Sequence, residues 1–218
     1  MLKAVIFDLD GTLTDSDKVH FEVYKSFFAE HNIELDRDGY RQKVSGRQNN
    51  AILADFLPQL SAAEKEDFSD RKEETFRYLA EGQLEPLPGL LDLLSQIKRL
   101  GLAAAVVTNA PPENAAFMLS ELWLTEAFSP IVIGNDLPRG KPDPLPYQTA
   151  LDKLAIHATE AIAFEDSIAG IRSAIGAGIK TIGMTTTHSA QELIETGAVE
   201  AVADFTDPYI QTCLNQML

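Results

Sequence analysis

The stretch that decides the fold is Ala4-Val5-Ile6-Phe7-Asp8-Leu9-Asp10-Gly11, close to the N-terminus. Its first four residues form a continuous apolar run with β-branched and aromatic members, which is typical of a buried parallel strand. Two acids follow directly, at the carboxyl end of that strand, which is the edge where doubly wound sheets bind ligands. An Asp-x-Asp pair also occurs in solvated turns. Whether this pair belongs to a functional site depends on whether other polar residues lie at the same edge of the sheet.

Four later apolar runs resemble the first one, and helical patterns separate them. The runs are Ala103–Val107, Ile131–Ile133, Ala161–Phe164 and Lys180–Gly183. Between them, apolar residues recur at the three- and four-residue spacing of a helix, for example within residues 90–97. This alternation predicts an α/β fold with a doubly wound, Rossmann-like parallel sheet.

The alternation is interrupted between residues 15 and 85, where no convincing strand is present and only helical patterns recur. We therefore expect a helical cap domain at 15–85, inserted after the first strand, and a Rossmann-like catalytic core made of 1–14 and 86–218. The charged run Glu64–Glu74 within the insert is expected to form a solvated helix face.

The composition excludes several classes of protein. The chain has 218 residues, with 18 Lys and Arg against 33 Asp and Glu, and a formal net charge of −15. Such acidity disfavours nucleic acids and anionic membranes as partners, because both bind basic patches. A single cysteine, Cys213, excludes an internal disulfide and a cysteine-based zinc site. No apolar run reaches the roughly 18 residues of a membrane span, and acids follow the first strand too early for a signal peptide, so a cytoplasmic protein is expected.

Polar residues follow four of the predicted strands, at the edge where the carboxyl ends meet. They are Asp8 and Asp10, Thr108 and Asn109, Lys141 in the loop 140–143, and Glu165 and Asp166. Carboxylates crowded together are unfavourable unless a cation neutralises them. With oxygen ligands and no clustered Cys or His, Mg²⁺ is the expected cation. Taken singly, each group also fits a helix cap or a surface charge, but their shared position favours one site.

These four motifs together resemble the signature motifs of the haloacid-dehalogenase superfamily. The matching stretches are Asp8-Leu9-Asp10-Gly11-Thr12-Leu13, Thr108-Asn109, Lys141-Pro142 and Glu165-Asp166. The helical insert is similar to the cap of the β-phosphoglucomutase and phosphoglycolate-phosphatase branch. Within that branch, Thr108-Asn109-Ala110-Pro111 and Phe164-Glu165-Asp166-Ser167 look most like sugar-phosphate phosphatases. The resemblance runs through essentially the whole chain and implies a Mg²⁺-dependent phosphatase of a small phosphorylated metabolite.

The resemblance implies a role for each residue of the phosphoryl site. Asp8 would be the nucleophile that forms an aspartyl-phosphate, and Asp10 the general acid and base. Thr108 and Lys141 would bind the phosphoryl oxygens. Lys141 would also keep Asp8 ionised, because a nearby positive charge favours the carboxylate.

The resemblance also implies the ligands of the Mg²⁺ ion. They would be Asp8, the backbone carbonyl of Asp10, and Asp166, with Glu165 bound directly or through water. The ion would offset the repulsion between an anionic nucleophile and an anionic substrate. The side chain of Asp10 would stay off the metal and remain free for proton transfer.

The insert is expected to recognise the leaving group. His20 lies in its first helix, where members of this branch often place a histidine that faces the site. Ser45-Gly46-Arg47 resembles the substrate-specificity loop, and Arg47 is expected to grip a sugar hydroxyl or a second phosphate. Gly46, Asn109 and Ala110 are expected on the substrate side as well. The alternatives are a surface histidine for His20 and a solvated arginine for Arg47.

Four functions are compared on the basis of the sequence. A phosphatase is favoured over a β-phosphoglucomutase, because mutases of the branch commonly have Thr-Ser where this chain has Thr108-Asn109. A receiver-type phospho-switch is disfavoured by the length of the chain and by the helical insert. A degenerate binding protein is disfavoured because every expected acid is present. A monomer or weak homo-oligomer is expected, with no nucleic-acid or membrane partner.

Overall fold

The computed structural model describes all residues from 1 to 218 and has a six-stranded sheet at its centre. The strands are β1 (Ala4–Phe7), β2 (Ala103–Thr108), β3 (Ile131–Ile133), β4 (Ala161–Glu165), β5 (Lys180–Met184) and β6 (Glu200–Val202). They lie in the order β3-β2-β1-β4-β5-β6, and all neighbouring strands are parallel. The predicted doubly wound α/β sheet is confirmed. The sequence patterns miss only β6, whose three residues are too few to show a period.

Ten α-helices accompany the sheet. They are α1 (Asp17–Ala29), α2 (Arg37–Lys43), α3 (Asn49–Phe56), α4 (Ala62–Ala80), α5 (Leu90–Arg99), α6 (Pro112–Glu121), α7 (Leu145–Leu154), α8 (Ile168–Gly176), α9 (Ala190–Thr196) and α10 (Pro208–Met217). None of the ten combines the length and the hydropathy that crossing a bilayer requires.

β1 lies at the centre of the sheet because all of its residues are apolar, and none of them is exposed to solvent. It pairs with β2 on one side and with β4 on the other, so that Phe7 lies opposite Val106 and Phe164. The chain order therefore reverses at β1, which is the switch point where α/β sheets bind their ligands. Asp8, the next residue, lies at this point.

The alternation of side chains along β1 divides the core into two layers. Val5 and Phe7 belong to the larger hydrophobic cluster, whereas Ile6 belongs to a second cluster on the opposite face. Phe7 stacks on Phe164 with ring centroids 5.4 Å apart and meets Phe128 edge-on at 5.7 Å. Close packing on both faces fixes the position of the carboxyl end of β1.

The helical insert (residues 15–85) contains α1 to α4 and no strand. Most of its aromatic residues join the same large cluster as the sheet, and Tyr78 is exposed instead. Phe28, for example, stacks on Phe56 with centroids 4.7 Å apart. The helical content agrees with the sequence pattern, and the limits of a separate cap domain stay a prediction.

Helix α4 corrects one expectation about the insert. It runs as one unbroken helix through the charged stretch. A solvated face over Glu64–Glu74 is wrong for three positions, since Phe68, Lys72 and Glu73 are buried. The buried face of α4 is hard to recognise from the sequence, because two of its three residues in this stretch, Lys72 and Glu73, are charged.

Candidate active site

Lys141 is at the centre of the site, in the loop between β3 and α7. Its ammonium donates to Asp8 Oδ1 at 2.5 Å, to Glu165 Oε1 at 2.5 Å and to the Val107 carbonyl at 2.7 Å. An ammonium has three protons, so all of them are used. Lys141, Asp8 and Glu165 are buried. The expected contact between Lys141 and a phosphoryl oxygen therefore requires one of these bonds to be exchanged.

Asp8, Glu165 and Asp166 bring three carboxylates together at the ends of β1 and β4. Their oxygens lie within 4.8 Å of one another, and all three residues are buried. Asp166 accepts a hydrogen bond from the Thr187 hydroxyl at 2.5 Å, and no cationic side chain is paired with it. The cluster thus holds more negative charge than Lys141 can neutralise.

Burial with too little positive charge raises the pKa values of this cluster. Desolvation and the nearby Glu165 raise the pKa of Asp8 to about 7, although Lys141 acts in the opposite direction. Desolvation, together with Asp8, Asp17 and Glu165, raises the pKa of Asp166 well above its ordinary value. Lys141 lowers the pKa of Asp8, as expected from its charge, but burial and Glu165 outweigh it in the absence of a second cation.

The cluster fits a divalent cation. Its donors are carboxylate oxygens, which hard ions such as Mg²⁺ prefer, and a double positive charge would remove the repulsion that raises the pKa values. Gly11 leaves room for the Asp166 carboxylate: its backbone has a φ of +72°, and a Cβ there would collide with that carboxylate. Any side chain at this position would displace the candidate ligand.

Asp10 follows Asp8 by two residues but does not join the cluster. Its Oδ1 accepts from the Ser16 hydroxyl at 2.7 Å and from His20 Nε2 at 3.0 Å, which leaves Oδ2 free of hydrogen bonds. Desolvation alone would raise its pKa, but His20, Ser16 and Lys72 outweigh this effect and lower the pKa of Asp10 below its ordinary value. The side chain is therefore ionised and bound to residues of the helical insert.

His20 connects Asp10 to the buried charges of α4, so the structure does bring it to the site. Its ring stacks on Phe76 with centroids 3.8 Å apart. Lys72 Nζ lies 3.3 Å from His20 Nδ1, and an ammonium has no lone pair, so Nδ1 accepts this hydrogen bond. The proton of a neutral His20 is therefore on Nε2, where it is donated to Asp10.

Glu73 joins the helical insert to the core. Its Oε1 accepts from Lys72 at 2.9 Å and from Asn49 at 2.6 Å, and its Oε2 accepts from Asn114 of α6 at 2.6 Å. The side-chain carbonyl of Asn114 accepts in turn from Arg77 at 2.6 Å. Because Lys72, Glu73 and Asn114 are buried, these bonds are shielded from water and link α4 firmly to α6.

Thr108, Asn109 and Ala110 border the site at the end of β2. The Thr108 hydroxyl oxygen accepts from the Ala110 amide at 2.9 Å, which leaves its proton for another acceptor. The Asn109 side chain donates to the carbonyls of Gly46 at 2.9 Å and Lys141 at 3.2 Å, and it accepts from the Lys141 amide at 3.1 Å. Asn109 thus ties the loop at Gly46 to the loop that carries Lys141. Both of its amide protons are used, and its role in substrate binding stays a prediction.

Arg47 borders the cleft, but its guanidinium has other partners. It donates to the Asp55 carboxylate at 2.7 Å, to the Lys43 carbonyl at 2.7 Å and to the Ala51 carbonyl at 3.3 Å. These bonds hold the side chain along α3. These three bonds leave two of the five guanidinium N–H groups, and the expected grip on a sugar hydroxyl or a second phosphate stays a prediction.

Three site residues have no signal in the sequence. The Thr187 hydroxyl contacts the carboxylates of both Asp17 and Asp166. Tyr147, from α7, donates to Glu165 Oε1 at 2.8 Å. Asp17, Tyr147 and Thr187 are single polar residues in ordinary helices and loops, and only the folded chain brings them to the acidic cluster.

Three carboxylates and a buried lysine at the switch point of a doubly wound sheet are the arrangement of an α/β enzyme with an acidic, metal-compatible centre. The chain belongs to the haloacid dehalogenase-like hydrolase family, which it matches over residues 5–184. The resemblance of its four motifs to this family is thereby confirmed.

Similar proteins include phosphatases and a mutase. Validoxylamine A 7'-phosphate phosphatase from Streptomyces hygroscopicus subsp. limoneus is 33% identical over 201 residues, which are 89% of this chain and 91% of that protein. β-Phosphoglucomutase from Bacillus subtilis is 32% identical over 192 residues, 84% of this chain and 83% of that protein. Among solved structures, a mutant of CbbY from Rhodobacter sphaeroides in complex with xylulose-(1,5)bisphosphate has a TM-score of 0.84 and 29% identity, covering 95% of this chain and 96% of that one.

Proposed function

We propose that the protein is a Mg²⁺-dependent phosphatase of small phosphorylated metabolites that acts through Asp8. The observation that supports this most is the buried group of Asp8, Glu165, Asp166 and Lys141 at one end of a cleft bordered by the helical insert. A carboxylate is a weak nucleophile, so the rate has to come from positioning and from neutralised charge. This group supplies both.

In the first step, an oxygen of Asp8 forms a bond to phosphorus while the bond from phosphorus to the leaving oxygen breaks. Asp10 gives that oxygen a proton, so that the leaving group departs as an alcohol. Asp10 is ionised before substrate binds, and the arrival of an anionic phosphate favours its protonated form. Its Oδ2, which has no other hydrogen bond, is the atom that would hold this proton.

In the second step, Asp10 acts as a base and takes a proton from a water molecule. The water oxygen bonds to the phosphorus of the aspartyl-phosphate, the bond from phosphorus to Asp8 breaks, and inorganic phosphate is released. The Thr108 hydroxyl proton and the Lys141 ammonium would bind the phosphoryl oxygens in both steps. Proton transfer of this kind typically accelerates a reaction about 10²–10⁴-fold.

Mg²⁺ would be held by Asp8, Asp166 and the backbone carbonyl of Asp10, with Glu165 bound directly or through water. When bound, it would neutralise the charge on the transferring phosphoryl group and on its acceptor. The fit is supported by the three buried carboxylates, which together carry more negative charge than Lys141 neutralises.

We propose sugar phosphates as the substrate class and the helical insert as a cap that opens to admit them. One similar protein is a β-phosphoglucomutase, the CbbY structure contains xylulose-(1,5)bisphosphate, and the cleft is bordered mostly by polar residues. The cap would be 15–85 and the core 1–14 with 86–218. We also propose a cytoplasmic monomer or weak homo-oligomer; the net charge of −15 argues against nucleic-acid and membrane partners, and the single cysteine fits a reducing compartment.

A screen of phosphorylated metabolites for phosphate release tests this function. Turnover is expected with Mg²⁺ present and is expected to stop with EDTA or in the Asp8→Asn variant. The aspartyl-phosphate is tested separately, by mass spectrometry of the acid-quenched protein. Undiminished turnover by Asp8→Asn would refute the proposal.

A mutase is the second candidate, because a β-phosphoglucomutase is 32% identical to the chain. A mutase would return the phosphoryl group from Asp8 to a second position of the sugar instead of to water. Incubation with β-glucose 1-phosphate and a bisphosphate activator separates the two. Release of inorganic phosphate supports the phosphatase, whereas faster formation of glucose 6-phosphate supports the mutase.

A further inference from the structure

The cleft has a second region beyond the phosphoryl site, where the leaving group of a phosphate ester would lie. We call it the leaving-group region. The residues of the helical insert that line it are Tyr24, Tyr40, Arg47, Asn49, Lys72 and Glu73. Its charges decide which leaving groups it can accept.

The positive charge of Lys72 is already paired with a carboxylate of the protein. Its ammonium lies 2.9 Å from Glu73 Oε1 and 3.3 Å from His20 Nδ1, and it lies over the Tyr24 ring at 4.4 Å from the centroid. The side chain is 3% exposed. In such a place an ion pair is hard to separate, because the partner left behind would be an uncompensated buried charge.

Arg47, the other cation of this region, is also paired within the protein. Its guanidinium is bound by the Asp55 carboxylate and by two backbone carbonyls of the insert. The region therefore contains two cations, Lys72 and Arg47, each with an anionic partner. A second phosphate or a carboxylate on the ligand would have to compete with these anionic partners for positive charge.

Hydroxyl groups on a ligand are accepted more easily. Tyr24 donates its hydroxyl proton to Asn49, and Tyr40 donates its own to Asp17 at 2.7 Å. Both phenolic oxygens keep lone pairs that can accept from a ligand hydroxyl. Buried groups of this kind favour a neutral ligand that carries donors over an anionic one.

We propose that the leaving group carries no negative charge, so that the protein acts on monophosphate esters of neutral, hydroxyl-rich alcohols and rejects bisphosphates and phosphorylated acids. This inference rests on the proposed phosphatase function and narrows its substrate class. It also disfavours the mutase, since a mutase that works through a bisphosphate needs a place for a second phosphate.

Matched substrate pairs test the inference in the unmodified protein. The pairs are glucose 6-phosphate with 6-phosphogluconate, and fructose 6-phosphate with fructose 1,6-bisphosphate. In each pair the neutral member is expected to have a kcat/KM at least tenfold higher than the anionic member. A ratio below tenfold in both pairs overturns the inference, even when the protein is an active phosphatase.

Two variants test the cause of this preference. Glu73→Gln leaves the ammonium of Lys72 without its anion, and we expect the ratio to shift at least tenfold towards the anionic substrates. Asp55→Asn releases Arg47 from an exposed partner without touching a buried residue, so its effect is smaller, up to about fivefold in the same direction. Glu74→Gln, an exposed neighbour on α4, is the matched control and should leave the ratio unchanged. No shift in either of the first two variants contradicts the argument.

Failure of the proposed function can be told apart from failure of this inference. If neither p-nitrophenyl phosphate nor any ester is hydrolysed, the phosphatase proposal fails. The binding preference is still measurable by calorimetry of Asp8→Asn with glucose 6-phosphate and with fructose 1,6-bisphosphate. Weaker binding of the bisphosphate supports the inference, and equal or tighter binding overturns it.

Discussion

The ammonium of Lys141 lies 2.5 Å from Oδ1 of Asp8, and both residues are buried. Burial opposes the charged form of Lys141, but Asp8 and Glu165 outweigh it and raise the pKa of Lys141 above its ordinary value. The lysine is therefore charged at neutral pH, whereas Asp8, with a pKa raised to about 7, is only partly ionised there. Lys141 is bound to both carboxylates, so its loss would affect the proposed nucleophile Asp8 and the candidate metal ligand Glu165 together.

Replacing Lys141 by Met is expected to raise the pKa of Asp8 further, because the repulsion from Glu165 then remains without compensation. We expect kcat/KM at pH 7 to fall about 10²–10³-fold, as when one stabilising donor is lost from an enzyme site. The acid limb of the pH profile should move to higher pH, measured with p-nitrophenyl phosphate between pH 5 and 9. Lys153→Met, on the exposed face of α7, is the control and should behave as wild type. A Lys141→Met profile that coincides with the wild-type one would contradict this account.

Removal of metal should make the stability of the protein depend on pH through Asp8. The pKa of Asp8 is raised from 3.8 to about 7, so the folded state binds more protons than the unfolded state in this window, and metal-free stability decreases as pH rises through it. The Asp8→Asn variant lacks this effect. We compare the free energies of unfolding of the two proteins in EDTA. The value for the variant minus the value for wild type should increase by roughly 1–3 kcal/mol between pH 5 and pH 8.

Urea unfolding at the two pH values measures this difference. Adding Mg²⁺ at pH 8 should stabilise wild type more than Asp8→Asn, by about 2.7 kcal/mol at 100 times the dissociation constant if the variant does not bind the ion. A difference between the two proteins that does not change with pH, together with equal responses to Mg²⁺, would show that Asp8 is not the titrating ligand.

Gly46→Ala should weaken the contact between the insert and the core. Gly46 has a φ of +72°, and a Cβ there would collide with the side chain of Ser167. Gly82, with a φ of +67° and open space around it, is a matched control in which only the backbone strain is present. Both alanine variants should lose about 1–2 kcal/mol of stability from that strain. Only Gly46→Ala should also raise KM, which steady-state kinetics would show. An equal KM in the two variants would mean that this loop does not contribute to the closed site.

Tyr147→Phe should cost stability without removing any charge. The Tyr147 hydroxyl donates to the buried Glu165 at 2.8 Å, and the variant leaves that carboxylate one donor short. We expect a loss of about 1–3 kcal/mol in urea unfolding, the usual cost of a buried acceptor that loses its partner. Tyr78→Phe, at an exposed position of α4 without a hydrogen bond, should be neutral. Comparable losses in the two variants would rule out a supporting role for the hydroxyl.

The strand ends could be predicted from the sequence because strong local signals mark them. β1 is a continuous apolar run, and Asp8, Lys141 and Asp166 each come in a short motif after such a run. In a parallel sheet, the topology alone then brings these residues to one edge. The prediction of the sheet and of its acidic edge therefore needed no knowledge of packing.

Other parts of the site could not be read in this way, because their roles depend on partners far away in the chain. Lys72 and Glu73 looked like members of a solvated charge run, and only the packing of α4 against α1 and α6 shows that they are buried. Arg47 stands in the expected loop, but Asp55, eight residues further on, holds its guanidinium. Phe68, Lys72 and Phe76 are four residues apart, so helical spacing places Lys72 on the same face as two aromatic residues. This spacing could have indicated that Lys72 is buried.

Asn109 has a mechanical consequence for the molecule. One of its amide protons is bound to the loop at Gly46, and the other to the loop that carries Lys141. If the insert opens as proposed, the first of these bonds has to break, whereas the two bonds between Asn109 and the loop of Lys141 can remain. The open and closed positions of the proposed cap would therefore differ in one partner of a side chain that also supports the lysine loop.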